Sequence, residues 1–362
     1  MRARDLGLPL TGDTGPLNAI TDVPGVEVGY TTLIEGDAVR TGVTAILPRP
    51  RPDVHLPCAA GRYSLNGNGE MTGTALLDEI GSVRLPVLIT NTHAVGPCHR
   101  GVIDWVAREK PQVAEQWLLP VVAETWDGYL NDINGPHVRP EHAVAAIDAA
   151  AGGPVAEGSV GGGTGMNCYA FKAGSGTSSR VVRYGRDSYT VGAFVQANFG
   201  SRKELTVCGV PVGALLADDN PIEKGDWRHP PGAGSVIAVI ATDAPLLPGQ
   251  CSALARRVPL GLARTGTTGS HFSGDIFLAF STGNVLTPSE FPHGEPGYDT
   301  LRHIPWNRLD AFFAAIVHAV EEAVLNALVA ATTMTGRQGH RAPGVPVDRL
   351  VDAVLNGRIP RG

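Results

Sequence analysis

Short apolar runs separated by polar or glycine-rich breaks follow one another along the chain, the pattern of strands and short helices. Alternation over residues 20–29 and the apolar run 43–47, ending at Pro48, predict two strands. Compact runs at 86–90 (PVLIT) and 118–123 (LLPVVA) predict two more, the second closing on Glu124-Thr125-Trp126-Asp127-Gly128. Polar groups at strand ends are where sites tend to sit. Helical spacing marks 102–109, 141–151 (introduced by Pro140 and stopped by Gly152-Gly153), 251–263 and 306–334. The last is amphipathic through Leu309, Phe312, Phe313, Ile316, Val320, Val324 and Leu328.

Residues 181–199 predict a β-hairpin turning at Gly185-Arg186-Asp187, followed by strands at 205–210, 235–241 and 276–280. The run VIAVIA (236–241) is apolar on both faces and needs cover on each. The loop before it, 217–234 (ADDNPIEKGDWRHPPGAG), is either a domain linker or an exposed loop inside one domain, and the buried run favours the loop. Interspersed strands and helices with a hairpin predict an α+β fold of antiparallel sheets and packed helices rather than regular βαβ winding.

Composition narrows the function classes. Over 362 residues, 43% apolar and 18% charged side chains with a formal charge of −6 argue against disorder and against a basic surface for nucleic acid. The 46 glycines show no Gly-X-Y period and serve turns and close backbone approach. Five cysteines, never in a CxxC pair, suit free thiols in a reducing compartment. The N-terminal segment meets proline, glycine and aspartate before any signal-peptide core, so a cytoplasmic location is expected. No membrane span is expected either, since the longest helical candidate carries Asp310, His318, Glu321 and Glu322.

Familiar motifs fail on detail. The glycine run 158–165 (GSVGGGTG) lacks the Lys-Ser/Thr of a phosphate loop, and Met166 stands where GxGxxG from Gly161 requires glycine. It reads as a tight turn or pocket wall. The histidines include no HExxH, and the Ser273 neighbourhood, HFSGD, is no GxSxG elbow. What remains is Gly234-Ser235, where a flexible loop enters a buried strand. A serine there has a fixed hydroxyl, and the glycine lets the backbone bend until that hydroxyl reaches its own upstream carbonyl. Cleavage before Ser235 would free an α-amine of pKa about 7.7 to 8.0, so one residue would supply both nucleophile and base. Gly-Ser pairs also occur at 81–82, 158–159, 174–175, 200–201 and 269–270, where they are ordinary turn sequence.

The flanks single out Ser235. GSVIAVIATDAPLLPGQ (234–250) resembles the nucleophile segment of the DmpA-like family, the L-aminopeptidase/D-esterase-amidases and β-peptidyl aminopeptidases. The likeness extends through NAITDVPGVEVGY (18–30), RTGVTAILPR (40–49), LNGNGEMTG (65–73), ITNTHAVG (89–96), AETWDGYLNDING (123–135), VGGGTGM (160–166), GTSSR (176–180), VQANFG (195–200) and SGDIFLAFST (273–282). The resemblance implies a single catalytic domain, 1–362, with a four-layer αββα sandwich similar to N-terminal-nucleophile hydrolases. It further implies self-cleavage between Gly234 and Ser235 into chains 1–234 and 235–362, no cofactor, and a tetramer of cleaved protomers. Its substrates are short peptides and amino-acid amides or esters.

By the same resemblance Ser235 is the nucleophile, Asn198 the oxyanion donor and Glu124 the carboxylate that receives a substrate's free ammonium. Ser273 and Asp275 match the pair around the nucleophile's amine. Some relatives carry glutamate at the second of these, and aspartate has a shorter reach. Trp126 stands where some relatives have a tyrosine; an indole donates but does not accept, so no phenol is available and the pocket is narrower. Two rivals are an acyltransferase of the ornithine acetyltransferase type, which uses threonine as nucleophile, and a non-catalytic scaffold of the same fold.

Overall fold

The computed structural model describes residues 1–224, 232–287 and 298–357. In chain order they form β1 (Glu27–Glu35), β2 (Val39–Leu47), β3 (Cys58–Ser64), α1 (Thr74–Ile80), β4 (Ser82–Val83), β5 (Val87–Asn91), α2 (Val95–Glu109), α3 (Pro111–Ala114), β6 (Val122–Thr125), α4 (Pro140–Asp148), β7 (Asn167–Cys168), β8 (Phe171–Lys172), β9 (Ser175–Tyr184) and β10 (Asp187–Gly200). They continue with α5 (Pro221–Lys224), β11 (Gly232–Thr242), α6 (Pro248–Ala255), α7 (Val258–Ala263), β12 (Ser273–Ser281), α8 (Asp310–Val329) and α9 (Val347–Asn356).

Among the described residues two large sheets form, a four-stranded one in the order β1-β2-β5-β6 and a six-stranded one in the order β4-β3-β12-β11-β10-β9. Pairing is antiparallel except between β5 and β6 and between β11 and β12. The two-residue period of β11 shows why the sheets stack. Ile237, Val239 and Ala241 meet Ile46, Val87, Ile89 and Ala123 between the sheets. Val236, Ala238 and Ile240 point the other way, onto Phe312, Ile316, Val320 and Val324 of α8. Helices α2 and α4 cover the free face of the smaller sheet through Val102, Trp105, Val106, Ala143 and Ile147. The result is the expected αββα sandwich, with VIAVIA covered on both sides.

Several local expectations change. Within 20–29 the residues Ile20–Asp22 form a 3₁₀ turn, and the strand starts only at Glu27 after Gly25 at φ +84°. The strand expected at 118–123 begins at Val122. Residues 205–210 are not a strand: Cys208 and Gly209 are both left-handed, at φ +48° and +82°, and fold the segment into a turn closed by Val207 and Val210. The helix expected over 251–263 is two helices, the second with Pro259 in its first turn, where the missing N–H costs nothing. Residues 225–231 of the loop 217–234 lie outside the described residues, but β10 before it and β11 after it are neighbours in one sheet.

The long helix spans Asp310–Val329; its first half keeps an exposed face, but its second half is not amphipathic as expected, because Glu321, Glu322 and Asn326 are buried as well. Glu322 accepts from Arg180 at 2.7 Å and from Arg4 at 2.9 Å, and Glu321 pairs with Arg264. Charges brought from distant segments let a helix with glutamates pass through the interior.

Candidate active site

Strand register assembles the site. Antiparallel β10 and β11 set Asn198 opposite Ser235, and parallel β11 and β12 set Gly274 beside Ser235, with Ser273 beside Gly234 and Asp275 beside Val236. Alternation turns Ser235 the same way as Ile237, and Asn198 the same way as Phe194, toward the smaller sheet. Gln196, on that same face of β10, donates to Thr90 O at 3.1 Å and Thr125 Oγ1 at 2.7 Å, tying the two sheets together here.

Ser235 is 2% exposed, and its Oγ donates to the Gly234 carbonyl oxygen at 2.6 Å. The hydroxyl therefore lies against the peptide bond that precedes its own residue. Position 234 admits only glycine, because an added Cβ would stand 1.9 Å from the Asn198 carbonyl oxygen. Asn198 Oδ1 accepts from Asn167 N at 3.0 Å, and its Nδ2 donates to Trp126 O at 2.9 Å. These two contacts assign the ends of the amide and leave the second Nδ2 hydrogen for another acceptor.

Glu124, in β6, is also 2% exposed. Its Oε1 accepts from Glu70 N at 2.8 Å and its Oε2 accepts a short hydrogen bond from Thr92 Oγ1. Burial raises its carboxyl above the ordinary glutamate range, and the bonds from Thr92 and the Glu70 N–H oppose that rise. One glycine separates this carboxylate from β12, the strand beside Ser235. A Cβ on Gly69 would lie 3.2 Å from Glu124 Oε1 and 3.0 Å from Gly274 Cα.

Ser273 and Asp275 lie on the other face, the one that carries Phe277 to α8. Ser273 Oγ donates to Asp275 Oδ1 at 2.5 Å; Asn66 Nδ2 donates to Oδ2 at 3.2 Å, and Asn66 Oδ1 accepts the Asp275 N–H at 2.7 Å. Burial raises the Asp275 carboxyl, opposed by Ser273, Asn66 and the Val236 N–H. The pair thus brackets the Gly234–Ser235 backbone from the adjoining strand rather than touching the Ser235 hydroxyl face. Trp126 is half-buried; its carbonyl meets Asn198, while its indole covers Gly128 and packs with Tyr129 and Leu130.

Thr92, Asn66 and Asn167 were not singled out from the sequence. All three contribute neutral groups inside or beside the quoted blocks, and their partners are set by backbone approach, so residue type carried no signal. Among the described residues no three of His, Cys, Asp and Glu converge as a metal-binding group. Burial holds the Cys58 and Cys208 thiols up at about 11 and Cys98 at about 12, which removes them as thiolate nucleophiles near neutral pH.

A buried serine at the entry of a central strand, faced by an oriented amide and enclosed between two stacked sheets, defines a serine hydrolase of the N-terminal-nucleophile type. The chain belongs to peptidase family S58, whose model matches residues 18–342. It is 50% identical over 361 residues to the β-peptidyl aminopeptidase BapA of Sphingosinicella microcystinivorans, covering 95% of this chain and 89% of that one. It is 46% identical to BapA of Sphingosinicella xenopeptidilytica, covering 99% and 92%. The solved L-aminopeptidase D-Ala-esterase/amidase of Ochrobactrum anthropi, described as a prototype for the serine aminopeptidases and a new variant among the Ntn hydrolase fold, superposes with a TM-score of 0.92 at 45% identity over 98% of each chain. The chain shares that variant fold, and a peptidase family favours hydrolysis over the acyl transfer and the inert scaffold weighed above.

Proposed function

We propose that this S58 peptidase is a self-processing aminopeptidase/amidase, and the observation that carries the reading is the Ser235 hydroxyl held 2.6 Å from the Gly234 carbonyl oxygen, opposite Asn198. Ser235 Oγ attacks the Gly234 carbonyl carbon, the C–N bond breaks, and the hydroxyl proton ends on the departing Ser235 nitrogen. Water then hydrolyses the resulting ester, leaving a carboxylate on Gly234 and a free amine on Ser235.

In turnover the same oxygen attacks a substrate's first amide or ester carbonyl while the new α-amine, of pKa about 7.7 to 8.0, accepts its proton. The free Nδ2 hydrogen of Asn198 meets the developing oxyanion. The leaving amine or alcohol takes a proton, and water releases the acyl group. Glu124 holds the substrate's ammonium, which restricts cleavage to the first residue because an internal peptide offers no such charge. Ser273 and Asp275 orient the Ser235 amine from the adjoining strand, and Trp126 bounds the pocket.

The substrates are short peptides and amino-acid amides or esters, and the identity to β-peptidyl aminopeptidases supports β-amino-acid substrates among them. The expected assembly is a tetramer of cleaved protomers, read by light scattering. The test of the activity is a panel of L-, D- and β-aminoacyl p-nitroanilides beside their N-acetylated forms. Hydrolysis of free-amine members and none of the acetylated ones is expected; equal hydrolysis of both would remove the amine anchor.

A further inference from the structure

Lys172 is fully buried and has no part in the chemistry above. Its Nζ donates to three backbone carbonyls, Met166 and Ala173 at 2.7 Å each and Gly163 at 3.4 Å. Three acceptors match the three N–H groups of an ammonium; a neutral amine has only two. Burial draws the pKa down, and the buried Asp127 carboxyl together with the three carbonyl acceptors opposes that fall and favours the charged form. The ammonium thus sits at the centre of the glycine-rich turn, and the question is what it acts on.

One peptide group answers it. The Met166 carbonyl that accepts from Lys172 belongs to the same peptide unit as the Asn167 N–H, and that N–H donates to Asn198 Oδ1 at 3.0 Å. A cation, a peptide group and a side-chain amide therefore stand in series, ending at the Nδ2 hydrogen left for the substrate oxygen. Hydrogen bonds in series polarise one another. The β7–β8 hairpin that carries this series is braced at its tip, where Tyr169 and Ala170 are both left-handed at φ +53° and +54°. Their carbonyls accept from Arg202 Nε at 2.9 Å and Nη2 at 2.5 Å, and the Tyr169 N–H donates to Phe199 O at 2.8 Å.

We propose that Lys172 is a positioning residue for the oxyanion amide: its ammonium, acting through the 166–167 peptide, orients and polarises Asn198 toward the negative oxygen of the transition state. The proposal rests on Asn198 being the oxyanion donor.

The test compares processed wild-type enzyme with Lys172→Met, which keeps the length and loses the donor and the charge, and Lys172→Gln, which keeps a neutral donor. The readouts are kcat and KM on an aminoacyl p-nitroanilide, inhibition by the matching aminoacyl aldehyde, whose adduct with Ser235 puts an oxygen at the oxyanion position, and inhibition by the free amino acid. Thermal melts confirm folding. Losing an oxyanion donor outright costs roughly 100- to 1,000-fold in kcat, so weakening one through Lys172→Met is expected to cost about tenfold or more, with aldehyde affinity falling by the same factor. KM and product inhibition should stay within about threefold, and Lys172→Gln should fall between. Unchanged kcat, equal weakening of aldehyde and free amino acid, or failure of both variants to fold would each overturn the proposal and leave Lys172 a structural residue. Asn198→Ala is run beside them. If it matures and turns over normally, the oxyanion reading itself fails, whereas a crippled Asn198→Ala beside a normal Lys172→Met removes only the relay.

Discussion

Asn198 and Ser235 face each other across β10 and β11, and the Asn198 carbonyl oxygen comes so near the preceding residue that a methyl group on Gly234 would stand 1.9 Å from it. Gly234→Ala must therefore push the two strands apart at the bond proposed to be cut. A displacement of about 1 Å can cost roughly 100-fold in rate, so the precursor is expected to cleave at least about tenfold more slowly. A time course of freshly purified protein on a denaturing gel reads this, and maturation at the wild-type rate would show that the strand geometry is not what drives the cut.

For Glu124 the expectation concerns both magnitude and pH. A hydrogen bond to a charged group is worth about 1.5–3 kcal/mol, so Glu124→Gln should lower kcat/KM for free-amine substrates by roughly 10- to 100-fold. Burial raises this carboxyl, so protonation as pH falls removes the ammonium's partner at a higher pH than an ordinary glutamate would. KM in the wild type should climb through that window, and the climb should be absent in Glu124→Gln. A KM profile identical in the two proteins would take Glu124 out of substrate binding.

Asp275 is predicted to act on the Ser235 amine. A carboxylate beside an amine favours the protonated form and raises its pKa, and the amine works as a base only once it has lost that proton. In Asp275→Asn the rising limb of kcat/KM should consequently move to lower pH, with a reduced plateau because the base is weaker. A limb that stays in place while the plateau falls would mean that Asp275 serves only to hold Ser273 and Asn66.

Stability offers a separate check on the core. Arg180→Met leaves Glu322, a fully buried carboxylate, with Arg4 as its remaining ion-pair partner among the described residues. Breaking a buried pair by removing one partner costs about 3–5 kcal/mol. Denaturant unfolding of the purified variant should show a loss of that order, and a change below about 1 kcal/mol would indicate that Arg4 alone neutralises the site.

The layers of the sandwich were legible where one segment carries the information by itself. VIAVIA announced its own two-sided burial, and the hairpin at 181–199 matched β9 and β10. Legibility failed where distant residues decide. The long helix was read as amphipathic through its apolar positions, and nothing in its own sequence showed that Arg264, Arg180 and Arg4 would come from elsewhere to let Glu321 and Glu322 be buried; residues 205–210 had strand composition but a left-handed Cys208-Gly209 turn. At the site, Ser235 stood out only through its flanking blocks, since the chain holds other Gly-Ser pairs. Thr92 meets Glu124 from 32 residues away, Asn167 reaches Asn198 through its backbone N–H, and Lys172 contacts only backbone carbonyls, so neither spacing nor residue type marked them.

The central claim is tested most directly by intact mass spectrometry of freshly purified protein, with turnover measured on the same sample. Two chains are predicted, one ending at Gly234 and one beginning with Ser235, with activity rising in step with their appearance, while Ser235→Ala stays a single inactive chain. An uncut chain that hydrolyses aminoacyl p-nitroanilides at the full rate would contradict it.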